Sequence, residues 1–290
     1  MSFLTVITPT YNRGNKLSAL YRSLVSQTDQ GFDWLIVDDG SSDETSDIVK
    51  KWEEEKKISI RYIKKDNGGK HTALNVGIAS IDSPWTFIVD SDDYLTEDAV
   101  ETIRKKAETD DGHDICGLAF LRKSSTGSFL TSKQVPKDGY KSDFINCRYG
   151  LEIRGDMAEV WKTSCLKEYP FPEYDNETFC SEDVVWIELA GKYKMRFYNI
   201  PIYICDYLED GLTRSRRLQN LNSPKGVMHR GEVQLQAGLP FKFKCRAMLY
   251  FLVYGRVAGY SYSELFERSE HRALFILLFL PSLVARRKLT

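Results

Sequence analysis

Strand and helix patterns alternate through the first hundred residues, and each early strand runs into a polar cluster. Residues 3–8 are rich in β-formers, Leu17, Leu20, Leu24 and Val25 recur at helical spacing, and residues 34–37 form a second short apolar run. A helix capped by Ser42 or Asp43 then leads through Trp52, residues 58–62 alternate as a strand, residues 72–81 read as a helix, and 85–89 form a fourth strand. Repeated units of this kind predict an α/β fold with a mainly parallel sheet flanked by helices. On such sheets ligands gather beyond the carboxyl ends of the strands.

The polar clusters fall at those ends. They are Thr8-Pro9-Thr10-Tyr11-Asn12-Arg13, Asp38-Asp39-Gly40-Ser41-Ser42-Asp43 and Asp90-Ser91-Asp92-Asp93. Singly, each has an ordinary explanation as a strand stop, a turn or a helix cap. Together they converge on one rim. The crowded carboxylates of the third repel one another unless something positive neutralises them, which points to a divalent cation or a cationic partner.

Composition fits a folded enzyme without naming one: 290 residues, 42% hydrophobic, with a formal net charge of -1. The charge is unevenly placed, since residues 1–213 hold 26 Lys/Arg against 37 Asp/Glu, whereas 214–290 hold 14 against 4. That basic tail is interleaved with apolar residues, which argues against nucleic acid as partner. The six cysteines are dispersed, with no CxxC pair and no zinc-ligand spacing, as expected of reduced thiols in a cytoplasmic protein. The first residues read as a strand and not as a secretory signal.

The ordered set Thr8–Arg13, Val37–Asp43, Asn67-Gly68-Gly69-Lys70 with Ala73-Leu74-Asn75, and Asp90–Asp93 closely resembles glycosyltransferase family 2. The likeness is strong over residues 3–107 and weaker to about 213. It implies a GT-A (Rossmann-like) fold. Residues 1–213 would form the catalytic domain, with 1–107 binding the nucleotide-sugar and 108–213 on the acceptor side, and 214–290 a basic, apolar helical extension.

The resemblance also implies roles. Thr8, Pro9, Tyr11, Arg13, Asp38 and Asp39 would hold the nucleoside; a carboxylate can accept the imide hydrogen of uracil or the amino and imino hydrogens of guanine, and uracil is preferred. Asn67 and Lys70 would face the nucleotide, Lys70 as a point charge for phosphate. Asp92 and Asp93 would bind Mn²⁺ or Mg²⁺, with Asp90 and Ser91 contacting ribose or supporting the site. Arg214, in a segment resembling one that folds over the donor, would neutralise pyrophosphate.

Direct displacement at the anomeric carbon needs a base for the acceptor hydroxyl. Cys180-Ser181-Glu182-Asp183-Val184-Val185-Trp186 resembles the family's acidic element before a helix, so Glu182 and Asp183 are both candidates, Asp183 slightly preferred, with Ser181 as helix cap. Asp156 and Trp186 are expected on the acceptor side, although a strand-edge acid and a core aromatic explain them equally well. The implied activity is inverting, metal-dependent transfer of a hexosyl or N-acetylhexosaminyl group from a UDP-sugar to a saccharide or lipid-linked acceptor. A sugar-nucleotide nucleotidyltransferase and a noncatalytic binding subunit stay open as alternatives.

Residues 273–280 form an apolar run too short to span a bilayer and broken by Pro281, followed by Arg286-Arg287-Lys288. With Lys242, Lys244 and Arg246 nearby, residues 241–290 are expected either to lie on the inner face of the cell membrane or to pack on the catalytic domain or on another subunit of a homo-oligomer.

Overall fold

In the computed structural model, described for residues 2–109, 112–206 and 212–287 without the side chains of 212–215, a nine-stranded sheet is covered by helices on both faces. The strands are β1 (Leu4–Thr10), β2 (Phe32–Asp38), β3 (Ser59–Lys64), β4 (Trp85–Ile88), β5 (Tyr94–Leu95), β6 (Ile115–Lys123), β7 (Tyr140–Ser142), β8 (Met157–Lys162) and β9 (Lys194–Ile204). The helices are α1 (Gly14–Val25), α2 (Thr45–Glu55), α3 (Lys70–Ala79), α4 (Ala99–Glu108), α5 (Thr163–Glu168), α6 (Asp183–Lys192), α7 (Leu212–Asn222), α8 (Pro224–Gln236), α9 (Phe241–Val257), α10 (Tyr262–Arg268) and α11 (Arg272–Arg287).

The strand order is β3-β2-β1-β4-β8-β6-β9-β5, with β7 on β9. The first four strands are parallel, in register from Leu4 opposite Phe32 to Thr10 opposite Asp38, and from Leu4 opposite Trp85 to Ile7 opposite Ile88. β8 then enters antiparallel between β4 and β6, so the far half of the sheet is mixed. The chain order reverses at β1, with β2 on one side and β4 on the other. That switch opens a crevice beyond their carboxyl ends.

Period-two alternation assigns the two faces. Leu4, Val6, Trp34 and Ile36 pack with residues of α1 and α2, where the Trp52 ring stacks 4.4 Å from Tyr21 and 5.8 Å from Trp34. Ile7, Leu35 and Val37 point the other way, onto Ala73, Leu74 and Ile78 of α3. α3 lies close because Gly77 faces the sheet; a Cβ there would come 2.3 Å from the Ile7 Cδ1. α3 begins at Lys70, two residues before the start read from sequence.

The six cysteines are all free thiols, five of them buried. The carboxyl-terminal helices build a separate apolar core around Met228, Met248, Phe251, Leu252, Leu265 and Phe275. This unit is tied to the sheet domain, since Val233 and Leu239 join the core beneath α3 and α6.

Candidate active site

Two loops of the crevice are fastened to each other through Asn12, which turns the chain after β1 with φ 51°. Its amide donates to Ser41 Oγ at 2.8 Å, and its side-chain oxygen accepts the Ser42 amide at 2.8 Å. Asp43 accepts the amides of Gly14 and Thr45, both at 3.1 Å, so one carboxylate serves the starts of α1 and α2. Tyr11 stands at the rim, 49% exposed, an available ring face. Thr8 is different: it is fully buried in β1, its hydroxyl accepting Trp34 Nε1 at 3.0 Å, and it faces the α1 and α2 core instead of the crevice. Pro9 is buried beside it.

The paired acids after β2 also look inward. Asp38 accepts the Ser41 amide at 2.7 Å and the Tyr62 hydroxyl. Asp39 is enclosed by Lys65 Nζ at 2.8 Å, the Gly68 amide at 3.0 Å, the Gly69 amide at 2.6 Å and Asn67 Nδ2 at 3.2 Å. The carboxylate expected to read a nucleobase therefore closes the Asn67-Gly68-Gly69 loop, with Asn67 itself spent on Asp39, and a base edge would have to displace these donors. Gly69 permits the loop: its φ is 95°, and a Cβ there would meet the Thr178 carbonyl oxygen at 1.9 Å.

Beyond β4 the acidic cluster carries its own counter-ions. Arg13 Nη1 lies 2.9 Å from Asp92 Oδ2. Lys70 Nζ bridges Asp90 at 2.5 Å and Glu182 at 2.7 Å, joining the cluster to the second acidic element. Burial alone would lower the Lys70 pKa, but the two carboxylates overcome it and hold the ammonium well above its ordinary range. Burial would likewise raise Asp90, yet Lys70 and Arg122 keep it below the usual carboxylate value. Asp93 is pushed up to about 7 by burial and by Asp90's charge, against a hydrogen bond from the Tyr203 hydroxyl at 2.7 Å. The same hydroxyl accepts the Asp90 amide at 3.0 Å, and Arg122 lies 4.1 Å over the Tyr203 ring. Ser91 is buried within the turn.

The second acidic element is built differently from its expectation. Ser181 does not cap α6; its hydroxyl donates to Asp183 Oδ1 at 2.6 Å, because Asp183 is already drawn toward α8. There Arg230 places Nε at 2.9 Å and Nη2 at 2.6 Å from Asp183 Oδ2, and Gln234 Nε2 reaches the same oxygen at 3.4 Å. Burial opposes ionisation of Asp183, but Arg230, Ser181 and Gln234 outweigh it and keep the pKa below the ordinary value. Trp186 is a core residue. It is 6% exposed, stacked 4.3 Å from Trp161 and edge-on to Phe171, so it does not line an open acceptor surface.

Asp156 is exposed at the start of β8. Arg214's side chain lies outside the described residues. Among the described residues no group of three or more His, Cys, Asp or Glu side chains is arranged to hold a metal by itself. The sequence reading missed Arg122, Glu159, Tyr203 and Arg230. Glu159, on β8, is raised to about 7 by burial against the pull of Arg122 and Arg148, with Asp156 and Glu182 reinforcing the rise. A lone acid inside the apolar run Met157–Trp161 was the available signal for it.

This sheet order, with the rim loops and the acidic turn at the switch point, is the GT-A architecture of glycosyltransferases. The chain belongs to glycosyltransferase family 2: the model described as "Glycosyl transferase family 2" matches residues 5–165. It is similar to the poly(ribitol-phosphate) beta-N-acetylglucosaminyltransferase TarS of Staphylococcus aureus, 27% identical over 177 residues, 60% of this chain and 30% of TarS. A GalNAc(5)-diNAcBac-PP-undecaprenol beta-1,3-glucosyltransferase of Campylobacter jejuni is 26% identical over 193 residues, 65% of this chain and 60% of that one. The chain thus covers less than two thirds of either relative. The solved structure of TarS 1-349 in complex with UDP-GlcNAc superposes with a TM-score of 0.61 at 21% identity, over 95% of this chain and 79% of that one. The mannosyltransferase PcManGT from Pyrobaculum calidifontis, in complex with GDP-Man and Mn²⁺, gives 0.59 at 16% identity, over 99% and 81%.

Proposed function

We propose that this chain is an inverting glycosyltransferase that moves a sugar from a UDP-sugar to a saccharide or lipid-linked acceptor. The observation that carries the reading is the Lys70 bridge between Asp90 and Glu182, which joins the nucleotide-side acidic turn to a second acidic element within one crevice. The relatives support it, since TarS is named for N-acetylglucosaminyl transfer to a polyol phosphate and the Campylobacter enzyme for glucosyl transfer to an undecaprenol-linked glycan.

The donor set suits a hard divalent ion. Asp92 offers oxygen ligation with its side chain 24% exposed, which leaves room for an ion that takes further ligands from phosphate and water. Asp92, with Asp93 beside it, would hold Mn²⁺ or Mg²⁺, which supplies positive charge against the departing nucleoside diphosphate. Arg13 and Lys70 sit on the acids that this charge would otherwise neutralise, and they are placed to turn to the diphosphate as donor enters. Tyr11 offers its exposed ring to the base. Asp183, kept ionised by Arg230, takes the acceptor proton, with Glu182 as the neighbouring acid that Lys70 would release. The acceptor oxygen then bonds to the anomeric carbon as the bond to the diphosphate breaks, inverting its configuration.

With Mn²⁺ and a UDP-sugar, Asp92→Asn is expected to lose turnover while its circular dichroism and melting curve stay those of the wild type. Equal turnover by both proteins sinks the role given to Asp92. Product NMR reporting a retained anomeric configuration rules out direct displacement.

A further inference from the structure

α11 is apolar on both of its sides. Phe275 is buried in the carboxyl-terminal core, with Leu274, Leu278 and Phe279 packed against it. Ile276, Leu277, Leu280 and Val284 point outward, 67%, 61%, 69% and 57% exposed. Positions 276, 280 and 284 are four apart, so these side chains form one stripe along the helix rather than scattered exposures. A helix that is apolar all round is normally covered on every side. Here one side is covered by its own chain and the other faces out.

The charges on α11 indicate what covers it. The helix has no acidic residue, and Arg272 and Arg287, both exposed, close the two ends of the stripe. Pairing with the same stripe of a second copy brings like charges together in either direction: antiparallel helices oppose Arg272 to Arg286 and Arg287, and parallel ones oppose each arginine to itself. An anionic surface draws both arginine ends; Glu267 Oε2 lies 3.7 Å from Arg272, but that pair is exposed and opens at little cost. A transmembrane passage is unsuitable, because 16 residues rise only about 24 Å against a hydrocarbon core of about 30 Å. Pro281, on the exposed side, also removes an amide and leaves the Leu277 carbonyl without its helical donor, a group that tolerates the wet headgroup region better than the acyl interior.

We infer that the outward stripe of α11 lies in the surface of an anionic lipid bilayer, with Ile276, Leu277, Leu280 and Val284 among the outer acyl carbons and Arg272 and Arg287 at the phosphates. This narrows the membrane expectation for residues 241–290 to one helix face and is independent of the donor chemistry, so the test uses no nucleotide-sugar. The purified full chain is mixed with vesicles of phosphatidylcholine alone or with an equal part of phosphatidylglycerol, floated on a density gradient and compared with Ile276→Ser/Leu280→Ser and Arg272→Gln/Arg287→Gln. Because all four positions are exposed, melting curves are expected to match the wild type. Flotation with the anionic vesicles should fall at least tenfold in the serine variant, and in the glutamine variant to the level seen with phosphatidylcholine. The inference is overturned if wild type does not float, if the serine variant floats equally, or if light scattering in solution shows an oligomer that the serine variant dissolves, which would assign the stripe to a second copy. Absence of sugar transfer by the wild type, measured separately, would count against the transferase reading and leave the lipid contact standing.

Discussion

Replacing Arg230 by alanine removes two of the four hydrogen bonds that hold Asp183, those at 2.9 and 2.6 Å, and the only positive charge among them. The pair is mostly buried, with side chains 29% and 15% exposed, so it lies between a surface ion pair and a fully desolvated one. Truncating one partner there costs about 1–3 kcal/mol, since Ser181 and Gln234 stay to hold the carboxylate. If that loss falls on the positioned base, kcat drops by about 10- to 100-fold with the donor KM unchanged. The pH profile supplies the sharper sign. Arg230 lowers the pKa of Asp183, so its removal lets the carboxylate protonate at higher pH, and the acidic limb of kcat moves upward. The matching stability contribution is present above the unfolded carboxylate pKa and fades as pH falls through the depressed folded value, so the variant's deficit in melting temperature should shrink in acid. Initial rates of nucleoside diphosphate release between pH 5 and 9 test this, with Arg230→Lys expected to restore part of both effects. An unshifted acidic limb with wild-type kcat would refute the link between α8 and the acid.

Other consequences can be checked on the folded protein. Trp186→Ala should cost about 3–5 kcal/mol by denaturant unfolding, as truncation of a packed core aromatic does, and a change confined to acceptor KM would contradict its burial against Trp161. Gly69→Ala should destabilise by at least about 1–3 kcal/mol, because it combines a φ of 95° with the Thr178 carbonyl; a wild-type melting curve would mean that the loop closes in another way. Glu159→Gln should gain stability relative to wild type as pH rises from 5 to 8.5. The raised carboxyl favours the fold while protonated and loses that contribution through about pH 7, a difference of about 3 kcal/mol at most. A pH-independent difference would show that Glu159 titrates normally.

The parallel half of the sheet and its rim were legible because strand alternation, helix spacing and polar strand ends are local signals. Local signals could not show that β8 enters antiparallel, since the run Met157–Lys162 reads the same in either direction. They also misplace side chains near a strand end: Thr8 belongs to a loop motif in sequence, yet its position in the β1 alternation turns it to Trp34. Asp38 and Asp39 look alike as free acids until the partners that enclose them, Tyr62, Lys65 and the Gly68 and Gly69 amides, are brought in by another strand and loop. Arg230 could not be foreseen at all. It is 47 residues from Asp183, on a helix whose pattern reports only its own apolar face.

The most direct test of the proposed activity is a donor screen that measures nucleoside diphosphate released by the purified chain with Mn²⁺ across UDP- and GDP-sugars. Release of UDP from at least one UDP-sugar is expected, abolished in Asp92→Asn. Release of pyrophosphate from a nucleoside triphosphate and a sugar phosphate, with no nucleoside diphosphate from any sugar donor, would contradict it.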